Sequence, residues 1–219
     1  MISVDFCRKK SINLRQLRLG IMAESVVIQV LNRIRLNHRG KIFFVESFID
    51  ISNAKSVNKA LERLVKSGEI SRLAQGIYVR PVFDDLIGEI FPSIEEVARA
   101  IAKRDRAIIQ PVGNFAMYKL GLTTQVPLNI VFITNSSARE IKIGKQVIVF
   151  KKASSRSLAF IGKTSSLAIQ ALRALGKDQI EFSQLEHLRQ LLKKENPKDL
   201  KHDLTLAPVW IRNLLTSNE

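Results

Sequence analysis

From Val27 the apolar positions fall at Val27, Val30, Leu31 and Ile34. That spacing of i, i+3, i+4 and i+7 is one stripe of an amphipathic helix, and Gly40 behind it is a stop signal. Ile42-Phe43 predicts a short strand, and Val45–Ile49 a short helix with Phe48 and Ile49 turned inward. Residues 50–53 predict a turn, with Asn53 as the N-cap of the next helix. That helix carries Val57, Leu61, Leu64 and Val65 on one face and ends at Gly68. Two short apolar runs, Ile70–Leu73 and Ile77–Val79, flank Ala74-Gln75-Gly76 and predict a hairpin, with Tyr78 packed in it. Three helices and then a hairpin, with a tight turn between the second and third helices, is the order of a winged helix-turn-helix module.

Further along, Ser93 is expected to cap a helix over Ile94–Lys103, with Val97, Ala100 and Ile101 inward. Ala107–Ile109 predicts a strand, and Asn114–Leu120 a helix stopped by Gly121. Leu128–Ile133, Arg139–Ile143 and Val147–Phe150 predict three more strands, the middle one alternating charged and apolar residues. Thr164 is expected to cap a helix with Leu167, Ala168, Ala171, Leu172 and Leu175 inward, ending at Gly176. Ser183-Gln-Leu-Glu186 has the form of a capping box for a helix with Leu185, Leu188 and Leu192. Pro208 introduces a last helix with Trp210, Ile211, Leu214 and Leu215. The prediction is a helix-rich α+β chain. A winged helix-turn-helix domain covers 22–81, and a linker covers 82–91. A larger mixed domain covers 92–219, with a small antiparallel sheet and C-terminal helices. Residues 1–21 are expected to be a mobile basic leader, with Met22 as an alternative start.

Composition narrows the function. Of 219 residues 46% are apolar, enough to build a core. Lys and Arg number 35 against 20 Asp and Glu, a net charge of +15, of which residues 1–81 carry +9. Such an excess favours polyanions through counterion release. No apolar run reaches the length of a membrane span. The single cysteine, Cys7, allows no internal disulfide. With no signal-peptide block at the start, a soluble cytoplasmic protein is expected, without cofactor or metal.

Charge and element order together point to double-stranded DNA. A major groove admits a helix whose N-terminal side chains reach base edges. The third helix of the module offers Lys55, Ser56, Asn58, Lys59 and Arg63, and the hairpin offers Arg72 and Gln75. Asn pairs bidentately with adenine, while Lys meets phosphate or guanine. Against this stands the plainer reading of a solvated cationic face, in which Glu62 and Lys66 form an ordinary i, i+4 pair.

Four stretches carry a family resemblance. Gly40-Lys-Ile-Phe-Phe, Val57-Asn-Lys-Ala-Leu-Glu-Arg-Leu-Val-Lys-Ser-Gly-Glu-Ile and Arg72-Leu-Ala-Gln-Gly-Ile-Tyr78 resemble the N-terminal module of AbiEi-type antitoxins of bacterial abortive-infection toxin–antitoxin pairs. Gly113-Asn-Phe-Ala-Met-Tyr-Lys-Leu-Gly-Leu-Thr-Thr-Gln-Val-Pro127 is similar to the start of that family's C-terminal part. The resemblance implies an autorepressor that binds its own promoter DNA through the winged helix. It also implies a C-terminal domain that counteracts a nucleotidyltransferase-like toxin.

The search for an active site yields little. Phe160-Ile-Gly-Lys-Thr164 resembles the end of a phosphate-binding loop, but Ser157 stands where that loop requires glycine. His38, His187 and His202 lack metal-ligand spacing. Glu140 and Lys142, on one face of a strand, match part of a Mg²⁺-dependent nuclease motif, with Asp105 the nearest upstream acid. No catalytic or metal-ligating residue is therefore assigned. The rival readings are a stand-alone winged-helix transcriptional regulator and the Glu140/Lys142 nuclease.

Overall fold

The structure, a computed structural model, describes residues 25–216. The leader over 1–21, Cys7 and Met22 lie outside the described residues. The chain forms two compact units, with the boundary between Phe91 and Pro92.

The first unit begins with α1 (Val26–Arg35), which Ser25 caps by accepting the Ile28 amide at 3.4 Å. β1 (Ile42–Phe44), a 3₁₀ turn (Val45–Phe48) and α2 (Ala54–Lys66) follow. Asn53 caps α2 as expected, its Oδ1 accepting the Ser56 amide at 2.9 Å. Gly68 ends it at φ +75°, where a β-carbon would be strained. β2 (Ser71–Ala74) and β3 (Ile77–Val79) form the hairpin. β3 is central in an antiparallel sheet of order β1-β3-β2, so Phe43 and Arg72 both lie opposite Tyr78. Val30, Ile34, Phe43, Phe48, Val57, Leu61, Leu64, Ile70 and Tyr78 close into one core.

Two expectations need correcting here. Phe48 is fully buried but Ile49 is 60% exposed, because the 3₁₀ turn ends at Phe48 and only one of the two neighbours can face the core. The expected linker is itself a hairpin of the first unit, β4 (Val82–Asp84) with β5 (Gly88–Ile90). Its turn is tied by Asp84 Oδ1, which accepts the amides of Leu86 and Ile87 at 2.9 and 3.2 Å.

The second unit runs α3 (Ile94–Arg104), β6 (Ile109–Pro111), α4 (Asn114–Lys119), β7 (Asn129–Thr134), β8 (Arg139–Ile143) and β9 (Gln146–Lys152). A 3₁₀ turn (Ser155–Leu158), α5 (Lys163–Leu175), α6 (Phe182–Leu192), α7 (Pro197–Leu206) and α8 (Val209–Thr216) complete it. Ser93 and Glu96 cap α3 reciprocally. α5 lies at the centre of the helical core, with Ala168, Ile169 and Leu172 against Leu188 and Leu192 of α6 and Ile211 of α8.

The sheet order is β6-β7-β9-β8. The antiparallel expectation holds for β6–β7 and β8–β9, but β7 and β9 pair in parallel, Asn129 opposite Val147. Burial explains the exchange of places. β7 buries Ile130 and Phe132, and β9 buries Ile148 and Phe150. Both therefore belong inside, and the charge-alternating β8 takes the edge. The chain is an α+β protein with eight α-helices among the described residues.

Candidate nucleic-acid interface

The amphipathic pattern of α2 decides what the helix shows to solvent. Val57, Ala60, Leu61 and Leu64 are buried, so Lys55, Lys59, Glu62, Arg63 and Lys66 are exposed on the other side. Ser56 and Asn58 lie half-buried between the two faces. Lys55, Lys59 and Arg63 follow one another at intervals of four residues and extend over about 12 Å of helix. None of the three is in an ion pair among the described residues, and the expected Glu62–Lys66 pair does not form.

The neighbouring cations of α1 are neutralised. Arg33 donates to both oxygens of Asp50 at 2.6 and 2.7 Å, and Arg35 donates to Glu69 at 2.6 Å. The hydrogen bond from Arg33 holds the Asp50 carboxyl below the usual carboxylate range. Sequence reading did not find these pairs, because their partners lie 17 and 34 positions away.

The first turn of α2 contains no acid. Its N-terminal amides and dipole favour an anion there. Lys55 stands in that turn, where the dipole disfavours a cation.

Arg72 and Gln75 are exposed on the β2–β3 hairpin, and Arg72 Nε donates to the Ala74 carbonyl at 3.3 Å. Burial pushes the Tyr78 hydroxyl up, while Arg72 lowers it and Glu62 raises it further. Arg72 lies opposite Tyr78 in the sheet, and Tyr78 shares a core with Leu61 and Leu64 of α2, which brings the hairpin and the cationic helix together in one region. The structure leaves five of the seven sequence-chosen residues exposed and the other two half-buried at the helix flank.

The other candidates do not assemble into a site. Asp105 is held by Arg104 at 2.8 Å and by Arg139. Arg139 and Glu140 are adjacent on β8 and point to opposite faces. Asp105 therefore lies on the side of the sheet away from Glu140 and Lys142. Burial alone would raise the Asp105 carboxyl, but the hydrogen bonds from Arg104 and Arg139 outweigh it and hold it low.

At Gly162-Lys163-Thr164 the amides of Gly162 and Thr164 are already taken. Asp203, fully buried, accepts from Ile161 N at 2.9 Å, Gly162 N at 3.0 Å and Ser165 Oγ at 2.6 Å. Glu195 accepts from Thr164 N and from Ser165 N, the latter at 2.9 Å. Two carboxylates of the chain sit where a phosphate would have to go. The N-cap of α5 is accordingly Gly162, not the expected Thr164. α6 likewise starts earlier than expected, capped by Glu181 with Gln184, and Ser183 Oγ donates to Glu181 Oε2 at 3.4 Å.

His187 Nε2 lies 2.8 Å from the Leu120 carbonyl, and His202 Nδ1 lies 3.0 Å from Asp203. Among the described residues no three His, Cys, Asp or Glu side chains gather around a potential metal. No described helix is long and apolar enough to cross a membrane.

Fold and surface define an α+β protein of two units whose first unit presents a cationic helix face beside a hairpin. The chain belongs to the family of unknown function DUF6088, whose model matches residues 29–200. No curated protein matches it. A solved structure with some likeness is the RV2827C protein from Mycobacterium tuberculosis, at 14% identity over 90% of this chain and 82% of that one, with a TM-score of 0.41.

Proposed function

We propose that the first unit is a winged helix-turn-helix module that binds double-stranded promoter DNA and represses transcription. The observation that carries this is the exposed row Lys55, Lys59 and Arg63 on α2, in no ion pair among the described residues, beside a hairpin bearing Arg72 and Gln75. The element order α1–β1–3₁₀–α2–β2–β3 and the sheet order β1-β3-β2 support it, since α2 takes the recognition position and the hairpin the wing. In this reading α2 enters the major groove by its N-terminal half. Asn58 reads a base edge, Lys55, Lys59 and Arg63 meet phosphate or guanine, and the amide end of α2 with Ser56 meets backbone oxygens. Arg72 and Gln75 steady the hairpin on the neighbouring backbone.

The AbiEi resemblance extends the proposal. The promoter is the chain's own, and the second unit counteracts a nucleotidyltransferase-like toxin encoded beside it. A reporter driven by the upstream region tests both parts. Expression of the chain represses the reporter, a Lys55→Ala/Lys59→Ala/Arg63→Ala variant does not, and co-expression relieves the toxicity of the adjacent gene product. A reporter indifferent to the wild-type chain refutes the repressor. Undiminished toxicity refutes the antitoxin and leaves a stand-alone regulator.

A further inference from the structure

The two edges of the β6-β7-β9-β8 sheet are finished differently. β6 is three residues long and ends in Pro111, which has no amide to offer a further strand. β8 is five residues long and contains no proline. It pairs with β9 from Arg139 opposite Phe150 to Ile143 opposite Gln146, without a bulge. No other strand among the described residues pairs with its outer side. A regular, open edge of this kind is a template for another strand. Its side chains divide by face. Arg139, Ile141 and Ile143 are half-buried on the side of Ile148 and Phe150, while Glu140 and Lys142 are exposed on the side of Val149 and Val147. Neither Glu140 nor Lys142 is in an ion pair among the described residues.

We infer that β8 joins two copies of the chain, pairing antiparallel with β8 of a second copy about Ile141. With Ile141 opposite Ile141, all five residues of the strand are paired. Glu140 then falls opposite Lys142 of the second copy, and Lys142 opposite its Glu140. Directly opposite residues of an antiparallel pair share a face, with Cβ atoms about 5 Å apart, so both ion pairs form on the exposed face. The two-fold relation makes the contact twice. On the other face Ile141 meets its own counterpart, and Arg139, still held by Asp105, lies across from Ile143. A register centred on Glu140 or on Lys142 sets like charges opposite each other and leaves part of the strand unpaired. The charge pattern thus selects the register that the strand's length also favours. It selects the occupant as well, since the complement of this edge is the same edge turned by a half-rotation. Glu140 and Lys142, which gather no second carboxylate for metal chemistry, have here a use that needs only each other. The inference stands whether or not α2 meets DNA.

Sedimentation of the full chain over a concentration series, without DNA, is the test. The expected result is a monomer–dimer equilibrium. Glu140→Lys alone sets cation against cation, and Lys142→Glu alone sets acid against acid, so each variant by itself raises the dimer Kd roughly tenfold or more. An equimolar mixture of the two variants associates as tightly as the wild type, because every pair across the junction then joins opposite charges. That recovery shows that both variants fold, and no ion pair within a single chain could produce it. A chain that stays single at every concentration overturns the inference and leaves the edge to a strand of another protein. So does a dimer whose Kd neither reversal changes, or a mixture that associates no better than its two components.

Discussion

At the residue scale the decisive positions are those where charge is left without a partner. Arg33 and Arg35 are paired across the first unit, yet Lys55, Lys59 and Arg63 on the adjacent helix are in no ion pair among the described residues. Lys55 stands in the first turn of α2, where the dipole disfavours it by a few tenths of a kcal/mol. A phosphate at that end repays the cost. Lys59→Ala therefore weakens binding to every duplex and makes the salt dependence shallower by about one unit of slope. Asn58→Ala instead relaxes preference at one base pair, at about 1–3 kcal/mol of discrimination. Anisotropy titrations at several salt concentrations separate the two effects. Unchanged curves for both variants place the contact elsewhere.

At the element scale the N-terminus of α5 shows how a helix can be capped from a distance. Asp203 and Glu195 together accept from four backbone amides and from the Ser165 hydroxyl. Asp203→Ala strands three donors, two of them buried, and costs about 3 kcal/mol. Gly162→Ala drives a β-carbon into Ser165 Oγ and to within 3.0 Å of Asp203, at a cost of about 2 kcal/mol. Urea unfolding of each full-length variant checks both; midpoints equal to that of the wild type refute the capping role.

The same elements show what sequence could reveal. α2 was legible because its apolar stripe, its Asn53 cap and its Gly68 stop agree with one another. Its outer face, and with it the candidate site, followed from the stripe. The place of β9 between β7 and β8 was not legible, since proximity in sequence favours hairpins and only burial selects the central strand. The caps of α5 came from 31 and 41 residues away, beyond any local pattern. One signal was present. Asp203 falls in line with Leu200, Leu204 and Ala207 on α7, a carboxylate at a core position.

At the scale of the whole molecule two kinds of electrostatics operate. One stabilises the folded state. Glu95 accepts from Lys119 at 2.6 Å and from Arg99 at 2.6 Å; burial would raise its carboxyl, but these partners outweigh it and hold it below the usual range. Asp105 is lowered in the same way. A carboxyl whose folded pKa lies below its unfolded value binds fewer protons when folded, so its stabilisation is complete above the unfolded value and is lost as pH falls through the folded one. Stability of the chain is therefore flat at neutral pH and declines below about pH 4. The decline is shallower in Glu95→Gln and Asp105→Asn, as denaturant midpoints across acidic pH will show; parallel curves for wild type and variants refute the assignment.

The other kind of electrostatics is turned outward. A net charge of +15 attracts any polyanion, so affinity alone proves nothing about a site. The most direct measurement is the salt-dependent binding of the full chain to duplex from its own upstream region, against a scrambled duplex of equal length. The account predicts tighter binding to the upstream duplex. In the Lys55→Ala/Lys59→Ala/Arg63→Ala variant that preference disappears and the salt slope becomes shallower by about three units. Equal binding to both duplexes, with a slope that the triple substitution leaves unchanged, contradicts it.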